Sequence, residues 1–162
     1  MDTTDQPEDL VDEFYRPLVQ ALGNLVILCA QCEASLLDLV AALQGTDDEW
    51  QAQAVLKPPN AKARVLALVR ASSFQGFELT ELLQGVEAFW TDRELRNRYF
   101  HDEWFPLLDE GGVPAIRGLP WKKDSEVVFD VPTADEIWAL AARFRDHEHL
   151  FSHAAYMLRR ER

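Results

Sequence analysis

Arginine, asparagine and histidine crowd into one short run, ELRNRYFHDEWF, residues 94–105. Their types can do chemistry. A guanidinium is always charged and presents a rigid fork of donors that matches a phosphate or carboxylate. An imidazole is the side chain whose ordinary pKa lies nearest neutrality, which suits it to moving a proton. Arg96 and His101 are separated by four residues, and Asn97 lies four residues before His101, on one side of a helix.

Position on that helix matters as much as type. Advancing about 100° per residue from Val86 puts Phe89 at about −60°, Trp90 at about +40° and Phe100 at about −40°, with Trp104 back at zero. On the same scale Arg93 falls at about −20°, Asn97 at about +20° and His101 at about +60°, while Arg96 sits at the edge, at about −80°. The expectation is a polar cluster in the middle of an apolar face. Buried polar groups each cost about 1–3 kcal/mol unless paired, so these need partners or a use. Glu33, within the apolar stripe of the first long helix, is the expected partner of Arg93 or Arg96.

The run Arg96-Asn97-Arg98-Tyr99-Phe100-His101 resembles the signature of the HEPN superfamily, an arginine and a polar residue followed four residues later by histidine. The flanking DEWF, then an extended arm and a final amphipathic helix, look like a group of small bacterial proteins of that kind. The resemblance implies a helical bundle and a metal-independent endoribonuclease of a defence or toxin–antitoxin system, acting on single-stranded RNA. His101 would serve as acid or base, Arg96 as charge stabiliser, and Asn97, with Arg93 and Glu33, as support. Arg96 and His101 lie about 140° apart on an ideal helix, so the resemblance implies a composite site across a homodimer, with an antitoxin protein as a further partner. Arg98, Trp90, Trp104 and Phe105 are the expected substrate or dimer contacts. Asp102 and Glu103 follow directly, and two acids beside a phosphate would repel it. The second expectation, from a different class, is a non-catalytic dimerisation or interaction module in which the same residues form a buried polar staple.

Other constellations are weaker. His147, His149 and His153 lie on the last helix with Asp146 and Glu148; His149 and His153 have metal-ligand spacing, but a third ligand would have to come from elsewhere, so a polar, partly exposed helix face is expected and no metal or cofactor. Cys29 and Cys32 lie inside an apolar helical run, where they read as buried thiols rather than a disulfide or redox pair. No phosphate loop, dinucleotide loop or serine elbow occurs.

The elements that must position the cluster are mostly helices. A chain of 162 residues with 48% hydrophobic and 27% charged residues suggests one domain. Residues 1 to about 8 read as a frayed, disordered acidic tail, and 9–162 as one helical domain. Apolar spacing predicts a helix from about Pro17 to Leu43; Thr46 to Glu49 reads as a capping box for a second reaching Leu56. Asn60 is the expected cap of a third. A fourth should start near Glu78, run through ELRNRYFHDEWF and end before Pro106. Residues 106–132 hold β-formers in VPAIR and EVVFDV, which predict a small β-hairpin or extended arm turning near Lys123 to Ser125. Thr133 to Glu136 is a capping box for the last helix. The sum is an all-α fold, a bundle of about five helices with that arm before the last.

The net charge is −12, and half of it comes from the six acids of the N-terminal MDTTDQPEDLVDE. Such an acidic chain is not expected to bind duplex DNA broadly. The acidic N-terminus lacks the basic start of a secretory signal, and Gln31, Glu33 and Asp38 interrupt the most apolar stretch. The expected location is the cytoplasm, with no membrane span.

Overall fold

The computed structural model describes residues 15–107, 113–118 and 129–161. Among them are five helices, α1 (Arg16–Gln44), α2 (Glu49–Leu56), α3 (Ala61–Arg70), α4 (Gly76–His101) and α5 (Ala134–Arg160). Three short strands, β1 (Glu103–Leu107), β2 (Val113–Arg117) and β3 (Phe129–Asp130), lie between α4 and α5. The fold is therefore an all-α bundle with a small β arm. The expected acidic tail and the turn near Lys123 lie outside the described residues.

The core is the seam between α1 and α5. The buried stripe of α1, Leu18, Ala21, Leu25, Cys29, Cys32, Leu36, Leu39 and Val40, repeats at threes and fours. It meets Ile137, Leu140, Phe144, Phe151, Ala155 and Leu158 of α5. Ser35 donates to Glu148 at 3.1 Å and Asp38 pairs with Arg159, so partner numbers rise together and the two helices run in the same sense. By contrast α4 runs antiparallel to α5: Asp92 meets His147, and a Cβ on Gly85 would overlap Leu150. By length and composition α1 could cross a membrane, with a mean hydropathy of 1.8 over its most apolar window, and 44% of that window is buried in the bundle.

The boundaries follow local chemistry, with three departures from the expected ones. Gly45 closes α1 at φ 74, a left-handed conformation that glycine adopts without strain. The cap of α2 is Asp48, whose carboxylate accepts from the Trp50 N–H at 2.9 Å; Thr46 accepts from the Asp48 N–H instead, so the expected box sits two residues too early. Asn60 occupies the N-cap position of α3 but makes no side-chain cap bond. The box at Thr133 and Glu136 is formed as expected, with both reciprocal bonds present.

The third departure concerns the motif helix. It ends at His101, not before Pro106, because Asp102 turns extended at ψ 154. The residues expected as the last helical turn become β1, paired antiparallel with β2 so that Trp104 faces Ile116 and Phe105 faces Ala115; β2 pairs in turn with β3. Pro106 cannot extend a helix, and the aromatic pair Trp104-Phe105 packs better on a pleated surface than on a frayed helix end. The expected pairing of VPAIR with EVVFDV is present as β2 with β3, and β1 adds a third strand to give the order β1-β2-β3.

Candidate functional site

The buried residues of α4 are Leu82, Val86, Phe89, Asp92 and Tyr99. On the scale that puts Val86 at zero they centre at about −70°. The core face is therefore turned by about a fifth of a revolution from the expected one. This rotation reverses the roles of the polar residues. Arg96, expected at the edge, points to the middle of the buried face. Asn97 and His101, expected inside, lie toward solvent: Asn97 is half-buried and His101 is exposed. The expected burial of His101 and Asn97 is corrected on this ground. The misleading markers were Trp90, which is only half-buried, and Trp104, which is not on the helix at all.

What the structure does bring together is Glu33 with two arginines. Arg96 pairs with Glu33 Oε1, and Arg93 Nε donates to the same oxygen at 3.4 Å. The Arg96 side chain is 14% exposed, against 42% for Arg93. Its guanidinium carbon lies 5.6 Å from the centroid of the Phe100 ring, where the ring's negative face adds to its stabilisation. The interhelical pair expected from the register of Glu33 is present, joining α1 to α4. Beside it opens a groove of about 180 Å³ between α1, α2 and α4, lined by Glu33, Leu36, Leu56, Phe89, Trp90 and Arg93.

The other candidates go elsewhere. Arg98 Nε donates to Asp102 at 3.2 Å, and its Nη1 lies 3.6 Å from Asp130 on β3. Trp104 donates from Nε1 to the carbonyl of Tyr99 at 2.9 Å, pinning the start of β1 against the end of α4. Phe105 meets Phe129 edge-on, with centroids 6.1 Å apart. The acids that follow His101 are engaged as well, Asp102 with Arg98 and Glu103 with Arg117 across the β1–β2 ladder. Neither presents an unscreened charge.

A second polar cluster lies deeper, and it takes His147 from the partly exposed face expected of it into the core. Asp92 is 7% exposed and His147 8%. His147 Nε2 donates to Asp92 Oδ2 at 2.8 Å, and Arg143 Nε donates to Oδ1 at 2.9 Å. Phe89, Phe144 and Phe151 surround the imidazole, with Phe151 stacked on it at 6.2 Å. Burial alone would raise the Asp92 carboxyl, but the hydrogen bonds from His147 and Arg143 outweigh it and hold the group below its ordinary value. The sequence carries a trace of this arrangement. In the α5 stripe Phe144 and Phe151 are seven apart, and the inward position between them is filled by His147.

The two thiols lie beside these clusters. Burial pushes Cys32 up, and the nearby Cys29, Glu33, Glu148 and Asp92 push it further. Burial and Glu33 raise Cys29 too, partly offset by Arg96. Both are free and buried. Among the described residues, no three His, Cys, Asp or Glu side chains converge as a metal site would require. No family model, curated protein or solved structure matches the chain.

Proposed function

We propose that the protein is a non-catalytic helical interaction module in which Glu33, Arg93 and Arg96 staple α1 to α4. One observation carries this reading: the guanidinium that would have to stabilise a phosphate, Arg96, faces the core and is tied to Glu33 and Phe100. An arginine neutralised by a carboxylate gives little of its field to a substrate. Its separation from the exposed His101 further argues against a shared reacting atom within one chain. A cytoplasmic location goes with this reading, since free buried thiols suit a reducing compartment.

A second reading is favoured by a specific feature. Arg93, Asn97 and His101 are four residues apart in turn, and all three are at least partly exposed. In a homodimer, such a line could meet its symmetry mate and form the composite site of a HEPN-like, metal-independent endoribonuclease, with an antitoxin as partner. Incubation with single-stranded RNA in a chelator, beside His101→Ala, decides between the two. The module reading expects no cleavage by either protein. Cleavage by the parent that His101→Ala abolishes, with the variant still folded, overturns it in favour of the ribonuclease.

A further inference from the structure

A cavity of about 260 Å³ lies between the start of α4 and the far half of α5. It stands about 20 Å along α4 from Arg96, counting about 1.5 Å per residue, and so is independent of the staple. Leu82, Leu150, Ala154 and Met157 form its apolar surface, with Phe74 from the turn before α4. Methionine at such a position adapts to the shape of an incoming apolar group. Phe77 overhangs the opening and is 79% exposed, a large aromatic left in water at the mouth of an apolar groove. The volume falls below the range of about 300–1,000 Å³ usual for small-molecule pockets, and suits one or two apolar side chains.

Charge says what kind of chain would bring them. Glu78 and Glu81 line the groove with His153, and no lysine or arginine is among the described lining residues. At the same end of α5, Glu161 accepts from Ser73 at 2.6 Å and Arg160 lies over the Tyr156 ring, so the two offset each other and leave Glu78 and Glu81 to set the rim's charge. The six acids of the N-terminal MDTTDQPEDLVDE make up half of the net charge of −12, and without them the rest of the chain still carries −6. This repels the chain's own N-terminal MDTTDQPEDLVDE, which carries six acids and no base, and it disfavours a second copy. It attracts a cation. We infer that this groove docks a basic segment of a partner protein, one that inserts an apolar anchor between α4 and α5 and sets flanking lysines or arginines against Glu78 and Glu81. Apolar contact would supply the anchor energy at the centre, and the rim charges the orientation and encounter rate.

The test uses the full chain and a labelled amphipathic leucine–lysine peptide, with a leucine–glutamate peptide of identical apolar pattern as counter-probe, followed by fluorescence anisotropy. Saturable binding of the lysine peptide alone is expected, weakened about tenfold by Phe77→Ala and by Glu78→Lys/Glu81→Lys. Charge reversals at the exposed Glu49 and Glu94, away from the groove, should leave it within about twofold. Circular dichroism checks that each variant is folded, which the exposure of the substituted residues favours. The proposal is overturned by absence of binding, by equal binding of both peptides, or by equal loss with the distant reversals, which would mean general charge attraction. It is also overturned if sedimentation shows a dimer of the parent that Phe77→Ala dissociates, since a second copy would then be the occupant.

Discussion

At the scale of single residues, the two polar clusters set the sharpest expectations. Replacing Glu33 by Gln leaves Arg96 charged and largely enclosed with a weaker partner, and should cost about 1–3 kcal/mol by urea unfolding. Asp92→Asn should cost about 2–4 kcal/mol near neutral pH, because the amide carries no charge and keeps one acceptor oxygen where His147 and Arg143 each use their own. Its pH dependence has a definite sign. The folded pKa of Asp92 is depressed below the ordinary 3.8, so its stabilisation is complete above that value and is lost as pH falls through the folded one. The stability gap between parent and Asp92→Asn should therefore narrow in acid; a gap that widens there would remove the ion-pair account. The thiols give a third expectation. Raised and enclosed, Cys29 and Cys32 should resist a thiol reagent in the native protein and react once it is unfolded. At this scale the partnership of Glu33 with Arg93 and Arg96 was legible, since a carboxylate in an apolar stripe demands a cation. The Asp92–His147 pair was not: His147 at an inward position of α5 leaves a trace, but nothing in the sequence matches it to Asp92 on α4.

At the scale of elements, the helices were readable where apolar spacing and caps agreed, as in α1 and in the Thr133 box of α5. The end of α4 was not. Helical spacing continues through Trp104 in the sequence, and only pairing with β2, remote in sequence, makes Glu103–Leu107 a strand. The orientation of α4 failed for a related reason: half-buried aromatics were counted as core, which turned the face toward Asn97 and His101. Two glycines test how helices meet. Gly23 lies on the open side of α1, and a Cβ there would meet nothing within 4 Å. Gly23→Ala should stabilise the protein by about 0.5–1 kcal/mol through helix propensity, read as a higher melting temperature. Gly85→Ala carries the same propensity gain but forces Leu150 aside; its melting temperature should fall below that of Gly23→Ala, and equal values would mean that α4 and α5 are less closely packed than described.

At the scale of the whole molecule, the acidic balance followed from composition and the all-α class from apolar spacing and caps, while the pairing of α1 with α5 required the fold. No shift of duplex DNA is expected at physiological salt, given the charge of −12; retarded bands in a gel would overturn that expectation. The seam between α1 and α5 has a further consequence during synthesis. Ser35 waits for Glu148, 113 residues later, and Asp38 for Arg159, 121 residues later. At about 5–20 residues per second, a ribosome needs roughly 5–25 s to deliver that partner. Through that interval the 29-residue segment of α1, long and apolar enough by composition to pass for a bilayer span, lacks the α5 face that completes its cover in the fold. A holdase chaperone, or an insertion machinery that mistakes it for cargo, has that long to find it.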